Sequence, residues 1–224
     1  LDRKLMKLKD GELSIHADMS HLTPYQCNDM VIAKDGTAYV GNFGTDNVES
    51  KIHKTCLISV TQEGETKICA DGLLFPNGTV ISPDGKELIV GETFGGNLTS
   101  FQINESGELS HRTIWARVMP LHFKIITSII RFLNIPLKES NSTPFPVPDG
   151  ICLDSDNGIW VASPTTAEVI RYKKGGKITD RIATPQPAYA CMLGGKDEKE
   201  LYILTAESSN PQFCKENKTG EIYK

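Results

Sequence analysis

Asn28, Asn77 and Asp149 each open a segment with the same internal order. Together they offer amide and carboxylate oxygens, the donor type that hard divalent cations such as Ca²⁺ take. A fourth segment of the same order opens on Ala190, which brings no polar side chain. One Asp and two Asn supply little charge, so a further carboxylate is expected in any such donor set. Taken singly, Asn-Gly and Asp-Gly mark turns more often than sites. Three polar residues in register reverse that weighting.

Those segments are Asn28-DMVIAKDGTAYVG, Asn77-GTVISPDGKELIVG, Asp149-GICLDSDNGIWVA and Ala190-CMLGGKDEKELYIL. In each an Asp follows seven residues on, at Asp35, Asp84, Asp156 and Asp197. Each then closes on an apolar triplet: Ala38-Tyr39-Val40, Leu88-Ile89-Val90, Ile159-Trp160-Val161 or Leu201-Tyr202-Ile203. An apolar run, a polar Asp/Gly turn and a second apolar run predict a β-hairpin. A second hairpin follows the first three, as in Leu57-ISVTQEGETKICA and Val169-IRYKKGGKITDRIA. Two hairpins make a four-stranded sheet, the blade of a propeller. First-residue spacings of 49, 72 and 41 compare with roughly 40–50 residues per blade. An insertion between Trp115 and Pro148 accounts for the long one.

Lys4-LMKLKDGELSIHA matches a second hairpin with no first before it, and Gly220-EIYK matches only the start of one. The expected fold is therefore all-β: a six-bladed β-propeller of which residues 1–224 supply about four and a half blades as one domain. A blade and a half would lie upstream. The innermost strand of every blade starts near the central channel, so the four opening residues should converge there.

A net charge of −4 and a pI near 5.8 argue against a nucleic-acid partner, whose phosphates would demand a basic face. The six cysteines form no CxxC pair and no Cys/His set with zinc spacing, so buried reduced thiols outweigh metal or disulfides. No leader is readable ahead of the strand-like text at residue 1, and a cytoplasmic location is the expectation. In the insertion, 118–147, apolar residues at 125, 126, 129, 130 and 133 predict an amphipathic helix, too short to span a bilayer. Packing on the propeller is expected of it; a lid over the funnel and interfacial membrane contact by 121–133 are the alternatives. The five histidines (16, 21, 53, 111, 122) miss the opening positions. Trp115, Trp160 and Cys191 read as packing residues.

Cys27-Asn28-Asp29-Met, Phe75-Pro76-Asn77-Gly78…Ser82-Pro83-Asp84-Gly85, Pro148-Asp149-Gly150…Trp160-Val161-Ala162 and Cys191-Met-Leu-Gly194-Gly195 resemble the gluconolactonase, regucalcin and luciferin-regenerating-enzyme family. The resemblance runs through most of the chain outside the insertion. It implies a lactonase acting on small, sugar-type lactones, with a divalent cation held by a Glu, the Asn of Pro-Asn-Gly and the Asp of Pro-Asp-Gly. The last two fall on Asn77 and Asp149, and the Asn of the Asn-Asp motif, here Asn28, contacts substrate or completes the metal shell. The family's Glu would lie upstream of residue 1, and no residue here substitutes for it. Ca²⁺ is the expected cation, with Zn²⁺, Mn²⁺ or Mg²⁺ as alternatives. Its chemistry would be Lewis-acid polarisation of the carbonyl and stabilisation of the oxyanion formed by water attack. Asp149, the ionisable opening residue, is the candidate general base as well as ligand. The competing readings are a non-catalytic calcium-binding or protein-docking propeller, and an esterase or organophosphatase that keeps the site.

Overall fold

The computed structural model describes residues 3–46, 51–120 and 145–224. Residues 121–144, which hold the helix expected of the insertion and its possible membrane contact, lie outside the described residues.

Strands account for most of what is described. β1 (Lys4–Lys9) and β2 (Glu12–Asp18) form a hairpin by themselves. A first blade follows from β3 (Cys27–Ile32), β4 (Ala38–Asn42), β5 (Thr55–Val60) and β6 (Thr66–Leu73). The second contains β7 (Pro76–Ile81), β8 (Glu87–Glu92), β9 (Asn97–Ile103) and β10 (Leu109–Arg117). The third contains β11 (Ile151–Leu153), β12 (Ile159–Ser163), β13 (Glu168–Tyr172) and β14 (Ile178–Ala183). The fourth has β15 (Ala188–Gly194), β16 (Glu200–Thr205) and β17 (Glu221–Tyr223), with the short helix α1 (Pro211–Glu216) before its last strand. Neighbours pair antiparallel in sequence order within every sheet. The all-β propeller arrangement follows the hairpin template, and the solitary first hairpin falls where the sequence places it.

Alternation along the middle strands explains how blades stack. Val40 points into a core with Ala17, Cys56 and Ile58, whereas its neighbour Tyr39 joins Leu57, Leu88 and Phe101 on the opposite face. Leu88 and Val90 share that second core, while Ile89 faces a third with Trp115, Ile159 and Tyr172. Ala162 then turns away from Val161 to join Cys152, Cys191 and Ile203. A strand covered on both faces is mostly apolar, and β5, Thr-Cys-Leu-Ile-Ser-Val, is buried at every position but the half-buried Ser59. The outermost β14 is exposed along its whole length.

Asp35 and Asp84 cap hairpin turns, accepting from Thr37 N at 2.9 Å and Lys86 N at 3.1 Å. In the third blade the capping residue is Asp154, whose Oδ1 accepts from Asp156 N and Gly158 N. Its other oxygen accepts from Arg171 Nε at 2.6 Å.

Candidate functional site

Every inner strand carries one extra residue where it enters the channel. Asn28 and Asp29 together oppose a single residue, because Cys27 pairs with Asn42 and Met30 with Val40. Asn77 and Gly78 do the same between the pairs Pro76–Glu92 and Thr79–Val90. In the third blade Asp149 N donates to Ala162 O and Ala162 N donates to Gly150 O, both at 3.0 Å. In the fourth, the pairing jumps across Tyr189. Such β-bulges bend a strand and re-aim side chains, and they gather near active sites. Here they set two consecutive residues against the channel in each blade.

The register corrects one expectation. Met30, Thr79, Ile151 and Cys191 are equivalent, each opposite the last residue of its apolar triplet. The fourth opening position is therefore Tyr189, not Ala190. The turn from Leu193 to Leu201 is longer than its counterparts, so counting back from Asp197 lands one residue late.

Backbone contacts tie these entry points into a continuous arc. Asn28 Nδ2 donates to Pro76 O at 3.1 Å, Gly78 N to Asp149 O at 3.1 Å, and Gly150 N to Tyr189 O at 2.9 Å. Two of these links need glycine. A Cβ on Gly78 would lie 2.4 Å from Ile151 N, and one on Gly150 would lie 2.8 Å from Ala190 Cα. Strand approach this close leaves no room for a side chain.

Asn77 is buried, at 5% exposure, while Asn28, Asp149 and Tyr189 are half-buried. Asn77 Nδ2 donates to Thr93 Oγ1 at 3.1 Å, and Thr93 Oγ1 donates on to Pro148 O at 2.8 Å. The Asn77 side chain also draws the Asp149 carboxyl down. With its Nδ2 directed at Thr93, the amide keeps its Oδ1 as the oxygen available to a cation. The arrangement brings Asn28, Asn77 and Asp149 to adjacent inner-strand starts, as their common register requires.

Asp29 is the candidate residue that counting opening positions passes over. It shares its bulge position with Gly78, Gly150 and Ala190, so it is the one side chain there with a charge. Although it keeps solvent contact, surrounding atoms desolvate it enough to raise its carboxyl above the usual range. Asp149 goes further, to about 7, first through burial and then through the negative charge of Asp29. Hydrogen bonds from Asn77 and Gly150 N oppose that rise. Two carboxylates coupled through their charges at the starts of inner strands, beside two amide oxygens, make a donor set of hard oxygens short of positive charge. This fits a divalent cation. No group of three or more His, Cys, Asp or Glu gathers among the described residues.

Phe43, Phe75 and Phe94 stand beside this set in the chain, with ring centroids 5.0 Å apart for the first pair and 5.1 Å for the second. The described histidines lie elsewhere: His16 bonds Thr61 O, His53 stacks on Tyr25, and His21 and His111 contact Thr66 and Ser110. Trp115 is buried in the core between the second and third blades, and Trp160 packs beneath Arg171. Both are packing residues.

A second buried carboxylate lies between the first and second blades. Glu92 accepts from Leu74 N at 2.7 Å, Arg112 at 3.0 Å and Asn97 at 3.4 Å, and from Thr99. Arg112 also donates to Asp71 O at 2.9 Å. This cluster clamps two blades together and is fully partnered.

Residues 2–207 match the family model described as SMP-30/Gluconolactonase/LRE-like region. A curated relative, regucalcin of Sus scrofa, is 33% identical over 82 residues, which are 35% of this chain and 27% of that protein. Luciferin-regenerating enzyme superposes with a TM-score of 0.73 at 17% identity, covering 99% of this chain and 70% of its own. A calcium-binding protein, regucalcin, from Agrobacterium tumefaciens gives 0.71 at 18%, over 99% of this chain and 69% of its own. A gluconolactonase from Xanthomonas campestris gives 0.65 at 22%, over 91% and 63%. The match thus spans about a quarter of the curated relative's length. At these identities the superpositions establish the propeller fold, and the family model, matched over nearly the whole sequence, establishes descent. The chain belongs to the SMP-30/gluconolactonase/LRE-like family.

Proposed function

We propose that this protein opens small lactones by water attack, with a divalent cation as cofactor. The observation that carries this reading is the meeting of Asp29, Asn77 and Asp149 at three neighbouring bulges, where the charge of one carboxylate raises the other. Membership of a family named for gluconolactonase supports the reaction class. The calcium-binding description of the Agrobacterium relative supports Ca²⁺ ahead of Zn²⁺, Mn²⁺ or Mg²⁺.

Asn77 Oδ1 and the Asp149 carboxylate hold the cation, and Asn28 binds the lactone from the next bulge. When bound, the cation supplies Lewis-acid polarisation of the lactone carbonyl and stabilises the charge that builds on its oxygen. In this reading Asp149 takes the proton from water, and Asp29 provides a second carboxylate for the same proton when Asp149 is engaged as ligand. Thr93 fixes the Asn77 amide so that its oxygen faces a constant position without further ordering.

The test is turnover of a panel of small lactones, sugar lactones included, before and after chelation and then with each of the four cations restored. Activity that vanishes in chelator and returns most fully with Ca²⁺ is the expected result. Undiminished turnover in chelator overturns the cation's role, and a cation-loaded protein inert toward the whole panel overturns the lactonase.

A further inference from the structure

Cys152 and Cys191 sit on the inner strands of the third and fourth blades, with Cys152 Sγ donating to Cys191 Sγ at 3.8 Å. Cys191 Sγ lies 3.5 Å from Trp160 O and 3.8 Å from Gly150 O. Both thiols are buried, at 2% and 3% exposure. The contact follows from glycine: Gly150 lets β11 and β15 approach until a Cβ there would touch the Ala190 backbone. Past that crossing the two cysteines are the next side chains to meet, within one apolar cluster with Ala162 and Val169. It is the one sulfur-to-sulfur hydrogen bond among the described residues, and all six cysteines are free.

Two thiols in contact on adjacent blades need more than packing to explain them, since either alone would fill its space as a small apolar group. We propose that Cys152 and Cys191 form a modification site: a dithiol that a small peroxide converts to a disulfide stapling the third blade to the fourth beside Asp149 and Tyr189.

The step balances. The Cys152 sulfur attacks one peroxide oxygen, the O–O bond breaks, and Cys152 becomes a sulfenic acid as the other oxygen leaves with the thiol proton as water. The Cys191 sulfur then displaces the sulfenic oxygen, which leaves as a second water carrying the Cys191 proton. Two thiols are oxidised by two electrons, and one hydrogen peroxide is reduced to two waters. The contact supports this order: once Cys152 gives up its proton the Cys191 S–H donates to it, which lowers the Cys152 thiol, while that same contact and burial hold Cys191 well above the usual range. Cys152 is thus the first nucleophile and Cys191 the resolving thiol.

The experiment uses the whole chain carrying Cys214→Ser, which removes the exposed thiol. After a small molar excess of hydrogen peroxide, thiols are counted in denaturant and peptides are mapped without reduction. Two thiols should disappear together, in one cross-linked peptide pair joining Cys152 to Cys191, and dithiothreitol should restore both. The melting temperature should rise by at least about 5 °C on oxidation, because the bond closes a loop of roughly forty residues in the unfolded chain. Cys152→Ser and Cys191→Ser should each abolish the link and the shift. Unchanged thiol number, linkage through Cys27, Cys56 or Cys69, or further oxidation of Cys152 without a cross-link would each overturn the proposal. Mapping the parent chain gives that answer even if a serine variant folds poorly.

Discussion

Asn77 draws the Asp149 carboxyl down across the boundary between the second and third blades, while Asp29 presses its charge on Asp149 from the first. Three blades therefore meet in one carboxylate. Its protonation is as much a property of how the blades are stacked as of the residue itself.

Asp149→Ala should abolish lactone turnover, a loss of at least about 100-fold, as expected where a ligand or proton-transfer group is removed. Asp84→Ala and Asp156→Ala should stay within about twofold of the parent, because both sit at the far turns of their hairpins, exposed to solvent. Steady-state kinetics on the three folded variants checks this. Equal losses in all three would mean that the channel lies at the other end of the strands.

Stability of the chelated protein should fall as pH rises from about 4 to about 7. Asp149 holds its proton to about 7 in the folded state, whereas an unfolded Asp releases it near 3.9. Between those values the folded chain binds more protons than the unfolded chain, so raising pH favours unfolding. The raised carboxyl of Asp29 acts in the same direction. In Asp149→Asn the trend should flatten, and saturating Ca²⁺ should flatten it in the parent. Melting curves across that pH range are the measurement; parallel curves for parent and variant would count against the raised carboxyl.

Glu92→Ala should destabilise the chain by about 2–4 kcal/mol, since it strips partners from Leu74 N and Arg112 between two blades. Arg112→Ala should cost a comparable amount, because it leaves the Glu92 carboxylate, whose side chain is 3% exposed, without its counter-charge. Denaturant unfolding of both variants and the double variant gives the coupling directly. A chelator should not change it.

Residues 1–224 by themselves should self-associate. The free face of β1–β2 exposes Leu8 at 70% and Leu13 at 66%, and the free face of the fourth blade exposes Met192 at 60% and Ile222 at 70%. Apolar sheet faces of this kind template contact between copies. Leu8→Lys with Ile222→Lys should shift the chain toward monomer in light scattering. A parent chain that is monomeric at high concentration would contradict this reading of the faces.

Much of this was readable in the residues. Hairpins followed from Asp/Gly turns between β-rich triplets, and a two-hairpin unit led to the blade. The shared register by itself singles out Asn28, Asn77 and Asp149, which stand at equivalent inner-strand starts. Asp29 was missed because its neighbour Asn28 already matched the template, and a bulge, which presents two consecutive residues, leaves no mark in a period-two pattern. Tyr189 is displaced by one because the longer turn between Leu193 and Leu201 puts Asp197 eight residues after the opening position instead of seven. Glu92 and Arg112 sit on β8 and β10 of one blade, and what the residues do not announce is the reach of the pair to Leu74 N and Asp71 O of the blade before.

The bulges also separate two kinds of inheritance. Because each inner strand gains one residue where it enters the channel, the parity of side chains beyond that point is set by pairing with the second strand and not by the residues ahead of it. Substitutions at 28, 29, 77, 149 or 189 can therefore alter the chemistry of the channel while Val40, Ile89 and Val161 keep their seats in the cores between blades. Deleting one bulge residue would instead take one of the two side chains away from the strand entrance, while the strand beyond keeps its pairing. A lineage built this way is free to explore substrates by replacement but is held rigidly to its length at four points.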